Sequence, residues 1–193
     1  MSEPNAGAYV IDPGWVYIGA LGTPEPTTVS SALDAGWTKL GYTEAGSSFA
    51  YTITANPHYV EEELDPILWK VESRSGTVSL ALAEFTKRNF SAALNGGIVT
   101  GDNQNWTFEP PDLGSETRVQ LLWQSSELGL ASPVPNSTSR RILFRKCLAS
   151  GTVSMDFKKA APSEFSGLVF NLEIPAGGLK PFKVFGAGGL NAS

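Results

Sequence analysis

Few residues of this 193-residue chain could carry out acid–base or metal chemistry. His58 is the only histidine and Cys147 the only cysteine. A serine or cysteine nucleophile needs a base such as histidine, and zinc or iron sites combine several histidine or cysteine ligands. His58 follows Pro57 at a predicted hairpin turn, which favours an exposed polar role. The sequence therefore predicts a protein that is not an enzyme and that uses no cofactor.

Cys147 follows two cations, Arg145 and Lys146, which could lower the pKa of its thiol. A small, partly buried strand residue is the favoured interpretation. The chain has no phosphate-binding loop, no nucleophile elbow and no dinucleotide-binding glycine pattern. These observations exclude the common nucleotide-binding and hydrolase motifs.

Acidic side chains are concentrated in one tract, made of Glu61, Glu62, Glu63 and Asp65. Carboxylates suit Ca²⁺, but the spacing and the glycine of an EF-hand loop are absent. We predict a strand over residues 59–64, in which successive side chains would point to opposite faces. The sequence therefore predicts no metal site in this tract and favours a solvated acidic surface.

The most basic stretch contains Arg140, Arg141, Arg145 and Lys146. With Phe144 nearby, it could suggest stacking on nucleic-acid bases. Strand alternation splits the four charges between two faces, which favours salt bridges at an interface or a solvated edge. We therefore treat these four residues as candidate inter-subunit basic residues.

Charge is unevenly distributed along the chain, whose formal net charge is -5. Residues 1–65 hold nine of the 19 acidic residues and one of the 14 basic residues. Such a segment repels nucleic acid, because tight binding to phosphates needs lysine and arginine. No apolar run reaches the length of a membrane span, and the first residues do not resemble a secretory signal. We expect a protein made in the cytoplasm, without membrane insertion.

Hydrophobic periodicity predicts a mainly β domain. Residues 78–82, 153–157 and 168–174 alternate between apolar and polar side chains, as half-buried strands do. Residues 56–57, Asn-Pro, are predicted to turn the chain. The predicted fold is a single domain over residues 1–193, a β-sandwich or partly closed barrel with one packed α-helix.

That helix is predicted over residues 82–95, where the period changes from 2 to 3.6. Gly96 suits the left-handed residue that ends a helix. Residues 1–13 and 186–193 are predicted to be a flexible N-terminal arm and a flexible C-terminal end. The candidate packing residues of the helix are Leu82, Phe85, Phe90 and Leu94.

Three segments together resemble the major tail proteins, or tail tube proteins, of long non-contractile-tailed phages, especially those of actinobacterial hosts. Residues 34–42 read Asp-Ala-Gly-Trp-Thr-Lys-Leu-Gly-Tyr, similar to the entry into the tube hairpin. Residues 51–95 place a hairpin pattern and acids before a proline, a strand and an amphipathic helix. Residues 159–175 resemble the late Pro-x-x-Phe-x-x-Leu strand entry of that family. The resemblance covers about half of the chain.

The resemblance implies a tail-tube-like fold and a structural virion protein of the viral tail that self-assembles into stacked hexameric rings. These rings would form a conduit through which DNA passes during ejection into the host. It implies as partners further copies of the chain, tape measure and tail terminator proteins, and DNA only in transit. It also implies that residues 1–13, 56–66 and 185–193 contact neighbouring subunits or rings.

Two questions stay open at the level of sequence. The acids Glu61, Glu62, Glu63 and Asp65 are candidates for the lumen or for the ring-to-ring contact, and a solvated hairpin tip is the alternative. Five tryptophans without shared spacing leave a second class of function, a glycan-binding β-sandwich. That protein would be a carbohydrate module or a receptor-binding or decoration protein of the virion.

Overall fold

The structure is a computed structural model that describes residues 14–84, 86–102, 104–125, 139–156 and 164–186. Three features predicted from the sequence therefore lie outside the described residues. These are the N-terminal arm, the C-terminal end beyond Gly186, and Phe85 of the predicted helix face. Of the third segment that carries the resemblance, only residues 164–175 are described.

The described residues form a mainly β protein with a single α-helix among them, which confirms the predicted fold class. In chain order the elements are β1 Gly14–Ala20, β2 Thr38–Lys39, β3 Thr43–His58, β4 Leu68–Leu82, α1 Lys87–Ala93, β5 Ile98–Gly101, β6 Trp106–Glu109, β7 Val119–Ser125, β8 Arg140–Ser150, β9 Ser154–Asp156, β10 Glu164–Leu172 and β11 Phe182–Gly186.

Nine strands form one antiparallel sheet in the order β2-β1-β7-β8-β10-β4-β3, with β11 beside β8 and β9 beside β10. The strands β5 and β6 form a separate hairpin. Over the described residues the large sheet does not close into a barrel, so β2 and β3 remain as its two ends. The edge strand β3 is 16 residues long, which is long for an exposed edge.

The sheet curls so strongly that strands distant in its order meet across the core. The rings of Phe49 in β3 and Phe144 in β8 lie 4.9 Å apart, although β10 and β4 separate these strands in the sheet. The inner face holds the main core, which includes fully buried Leu82, Leu121 and Phe170. A second cluster covers the outer face: Val29, Trp37, Leu122, Leu143 and Phe185. The molecule therefore has two buried layers, one on each face of the sheet.

The helix is shorter than the sequence predicts. Leu82 is buried, but it is the last residue of β4 and pairs with Thr43, so its assignment to the helix was wrong. The helix begins at Lys87, where the Thr86 hydroxyl accepts a hydrogen bond from the Asn89 amide at 3.2 Å and caps the N-terminus. The predicted helix extended into β4 because Leu82, the last residue of that strand, also fits the apolar face of a helix.

Phe90 and Leu94 pack against the core from the helix, as predicted. The Phe90 ring contacts the rings of Trp106 and Phe108 in β6, at 5.5 Å and 5.6 Å between centroids. Asn95 and Gly96 follow the helix with φ angles of 59° and 106°, in the left-handed region. The predicted end of the helix is thus confirmed, and the small β5–β6 hairpin, which the sequence analysis missed, covers Phe90.

Candidate functional site

The outer half of the β3–β4 hairpin projects from the body of the sheet. In β4, residues 68–75 are all exposed. From Gly76 to Leu82, buried residues alternate with partly buried ones. The neighbouring strand β10 pairs with β4 only from Thr77 to Leu82, so the outer part consists of two strands. We call residues 52–75 the arm, and it includes the loop between the strands.

One face of the arm is apolar. Its cross-strand pairs join Ala55 to Val71 and Pro57 to Trp69, and directly opposed residues lie on the same face. Ile53 precedes them in β3 on that face, opposite Arg74. The exposed fractions of Trp69, Ile53 and Val71 are 64%, 55% and 45%. These large apolar side chains continue the core face of the sheet into a region where no described residue covers them.

The other face of the arm is polar. Its opposed pairs join Thr52 to Ser75, Thr54 to Ser73, Asn56 to Lys70 and His58 to Leu68. A β-bulge lies between Thr54 and Ala55, where Glu72 is the extra residue in β4. The side-chain amide of Asn56 donates a hydrogen bond to the Glu72 carboxylate at 2.7 Å, which connects the bulge to β3. The arm is thus an amphipathic ribbon with an apolar face and a polar face.

Such a ribbon is not self-sufficient. A two-stranded hairpin is only marginally stable in water and needs further strands or a packed face. Among the described residues, no strand pairs with the outer edge of β3, and none besides β3 pairs with residues 68–75 of β4. The arm therefore offers two unpaired backbone edges and an exposed apolar face, which are features of a surface that binds another chain.

The acid tract forms the loop at the end of the arm. Glu61, Glu62, Glu63 and Asp65 are all exposed and lie between β3 and β4, so the predicted strand over residues 59–64 was wrong. The loop is closed by a hydrogen bond from the Ile67 amide to the His58 carbonyl at 2.9 Å. Leu64 lies among the acids with 99% of its surface exposed. We call residues 61–65 the acidic tip.

The predicted turn at Asn56-Pro57 was also wrong, since both residues lie inside β3 opposite Lys70 and Trp69. Proline lacks a backbone N–H and interrupts most strands, but it is tolerated at an edge strand. Because β3 is an edge strand, Pro57 leaves the pairing with β4 intact. The chain turns later, in the loop between His58 and Leu68 that includes the predicted strand over residues 59–64.

Two of the four candidate inter-subunit basic residues have roles inside the subunit. Arg141 is 3% exposed and donates hydrogen bonds to Gln124 Oε1 at 3.0 Å, to the Thr28 carbonyl at 3.1 Å and to the Ser31 carbonyl at 2.7 Å. It thereby fastens the segment between β1 and β2 across the sheet. The predicted inter-subunit role of Arg141 is therefore corrected.

Arg145 is corrected in the same way. Its guanidinium, almost fully buried, binds both carboxylate oxygens of Glu25, at 2.6 Å and 3.0 Å, and donates to the Lys180 carbonyl. Lys146 contacts the Glu173 carboxylate at 2.8 Å, and Arg140 donates to the Ser139 carbonyl. Since Arg140 and Lys146 are only partly buried, their role between subunits stays a prediction.

The Glu25–Arg145 pair predicts a pH-dependent contribution to stability. The hydrogen bond from Arg145 holds the pKa of Glu25 below its usual range. A lowered carboxyl pKa stabilises the fold above the usual pKa, and this contribution is lost as the pH falls through the folded-state value. We expect Glu25→Gln to lower the free energy of unfolding by about 1–2 kcal/mol at pH 7, as for hydrogen bonds to a partly exposed charge.

Denaturant unfolding of both proteins at several pH values measures this effect. The difference between Glu25→Gln and the wild type should shrink as the pH falls below the usual carboxyl range. Glu62→Gln, at the exposed acidic tip, is the matched control and should unfold like the wild type at every pH. A difference for Glu25→Gln that does not change with pH would contradict the role of the ion pair.

The residues considered for catalysis do not assemble into a reactive site. Burial raises the pKa of the Cys147 thiol to about 12, so it stays protonated at neutral pH, unlike a nucleophilic cysteine. His58 is exposed at the end of β3. Within the described ranges, no group of three His, Cys, Asp or Glu residues is placed to hold a metal ion. In the same part of the chain, no helix is long and apolar enough to cross a membrane.

No protein-family model matches this chain, and no curated protein matches it.

Proposed function

We propose that this protein is the tail tube subunit of a long non-contractile-tailed phage, a structural virion protein that assembles into stacked hexameric rings. The observation that carries the proposal is the arm, which has two unpaired edges and one exposed apolar face. Self-assembly would pair the two edges with strands of neighbouring subunits and bury the apolar face. The ordered resemblance of three sequence segments to tail tube proteins supports the same proposal and supplies the six-fold symmetry.

The arm suggests how neighbours in a ring would join. The outer edge of β3 in one subunit, as far as Asn56, would pair with residues 68–75 of β4 in the next, since Pro57 has no N–H to donate at that edge. In a ring with rotational symmetry all arms point the same way, so β3 of one subunit runs antiparallel to β4 of its neighbour. Each contact would therefore extend the antiparallel ladder, and head-to-tail contacts of this type form closed rings when the rotation closes.

The polar face of the arm suits the lining of a DNA conduit. Its side chains are mostly hydroxyls and amides, and Lys70 is accompanied by Glu72 on that face. DNA binds tightly where lysines and arginines displace counterions from phosphates. A hydroxyl-rich wall offers few such contacts, so DNA would slide past it. The apolar face would then lie away from the lumen, against other parts of the ring.

One observation favours the alternative, a glycan-binding protein. Trp69 is 64% exposed, and an exposed aromatic ring is a common platform for sugars. However, its direct neighbours on that face are Pro57 and Val71, which offer no side-chain hydrogen bonds to sugar hydroxyls, and the charged residue of that face, Arg74, lies further along, opposite Ile53. The apolar surroundings favour contact with another protein surface, and the two functions are separable by experiment.

Negative-stain electron microscopy and sedimentation velocity of the purified full-length chain test the proposal. Tubes or six-fold rings are expected, with the fraction assembled rising with protein concentration. Only monomers at all concentrations, together with binding on a glycan array, would overturn the proposal in favour of the glycan-binding alternative. Contacts with tape measure and tail terminator proteins would follow from assembly into a virion.

A further inference from the structure

A large groove lies at the end of the molecule opposite the acidic tip. Its volume is about 790 Å³, within the range of pockets that enclose a ligand. Three cations line it, Lys39, Lys87 and Arg88. Its apolar lining includes Ile18, Leu40, Ala92, Val99 and Val119. We call this cavity the basic groove.

The groove also contains one acid, Glu84, whose carboxylate turns back against the chain. It accepts a hydrogen bond from the Tyr42 amide at 3.2 Å and covers Gly41, where φ is 97° and a Cβ atom would lie 2.5 Å from the carboxylate. The Asp102 carboxylate, next to the lining residue Gly101, interacts electrostatically with Lys87, and Arg88 donates a hydrogen bond to the Lys39 carbonyl at 3.4 Å. With three cations against these two carboxylates, the groove keeps a small net positive charge. Burial lowers the pKa of Lys39, whose ammonium lies 2.9 Å from the centre of the Trp15 ring. A carboxylate entering the groove would compensate that lost hydration.

The topology separates the groove from the tip within one molecule. Lys39 and Leu40 come just before β3, while Thr86 to Arg88 come just after β4. The groove therefore lies at the root of the hairpin, and the acidic tip lies at its far end. The 15 residues of β4 span roughly 50 Å at about 3.3 Å per residue. The tip of a subunit cannot reach its own groove, but it can reach that of a second copy.

The tip and the groove are complementary in charge and in polarity. The tip carries Glu61, Glu62, Glu63 and Asp65 around the fully exposed Leu64. The groove presents cations around an apolar lining. Complementary charges steer association and fix its register, while an apolar anchor that enters a pocket supplies binding energy.

We propose that the acidic tip of one subunit docks in the basic groove of a second copy, with Leu64 against the apolar lining. The contact joins the tip end of one molecule to the groove end of another. It can therefore repeat from subunit to subunit and stack the subunits in the direction of the tube axis. This inference rests on the proposed function, because it names the contact between successive rings. It assigns the tip acids to that contact and not to the lumen.

Charge reversal tests the contact with the full-length protein. The tip variant is Glu61→Lys with Glu63→Lys, and the groove variant is Lys87→Glu with Arg88→Glu. Acidic residues are favourable near the start of a helix, so the groove variant should keep its fold, which a thermal melt checks. Each double variant alone is expected to form at least tenfold fewer tubes than the wild type in electron micrographs. The chain with all four substitutions should form tubes again, because its tip and groove are complementary once more.

The outcomes separate this inference from the proposed function. Loss of tubes in both double variants and recovery in the fourfold variant support the contact. Normal tubes from the tip variant would overturn the contact while leaving the proposed function standing. Failure of the fourfold variant to recover, with its fold intact, would overturn the pairing of tip and groove. A wild type that forms neither rings nor tubes would overturn the proposed function and this inference together.

Discussion

Trp69→Ser combined with Val71→Ser is expected to abolish rings and tubes while leaving the isolated subunit folded. Both side chains lie on the apolar face of the arm and are largely exposed in one subunit. Exposed substitutions change stability by about 0.5 kcal/mol or less, so the melting temperature should move by only about 1–2 °C. In an assembled ring the same side chains would be buried, and a buried tryptophan at an interface often contributes about 2 kcal/mol or more. The loss is repeated at every interface of the ring.

The matched control changes the polar face of the same ribbon. Thr54→Ala with Ser73→Ala alters two directly opposed residues and is expected to leave assembly intact. Sedimentation velocity gives the assembled fraction for both variants, and electron microscopy shows whether the assemblies are rings or tubes. Wild-type assembly by the Trp69→Ser, Val71→Ser chain would show that the apolar face is not an interface. Failure of the control alone would place the interface on the polar face.

Arg141→Ala is expected to destabilise the isolated subunit by about 2–4 kcal/mol, as when several buried hydrogen bonds lose one partner. The guanidinium is almost fully buried and donates to acceptors on three residues from two parts of the chain, Gln124, Thr28 and Ser31. Its removal takes a donor from each of these acceptors, of which the Thr28 carbonyl keeps the Ser31 hydroxyl, and it loosens the segment that covers the outer face of the sheet. Burial lowers the pKa of Arg141, but an arginine stays charged at neutral pH.

Denaturant unfolding measures this loss, with Arg74→Gln on the exposed arm as the control for removal of a charge. Arg141→Lys should recover only part of the stability, because an ammonium cannot reproduce the fork of the guanidinium. A change below about 0.5 kcal/mol for Arg141→Ala, the size of a surface effect, would show that other contacts hold the segment in place.

Period-2 alternation by itself determined much of the β architecture. Val78, Leu80 and Leu82 were predicted to share one face, and all three are buried in β4. The alternating segments predicted at residues 153–157 and 168–174 overlap the strands β9 and β10. Such predictions succeed because alternation is a local property of a half-buried strand. The scarcity of histidine and cysteine is likewise a property of the sequence alone.

The ends of the elements depended on contacts between distant residues. Residues 59–64 were predicted to form a strand, yet they form a loop, because pairing of β3 with β4 stops at His58 and Leu68. Leu82 fits a helical face but pairs with Thr43 as a strand residue. The β5–β6 hairpin carries exposed residues along Ile98–Gly101, so alternation gave no signal there. The sequence pattern of one segment contains no information on where its partner strand ends.

The exposure of the apolar side chains on the arm depends on the tertiary structure. Nothing in the sequence marks the apolar residues Ile53, Trp69 and Val71 as exposed. They are exposed because β10 pairs with β4 only from Leu82 to Thr77. Beyond Thr77, no described residue covers the apolar face of the arm. Conversely, Arg141 and Arg145 read as surface charges, but the segment between β1 and β2 folds over them. The sequence determines which side chains are apolar or charged, whereas their burial depends on which distant segments pack against them.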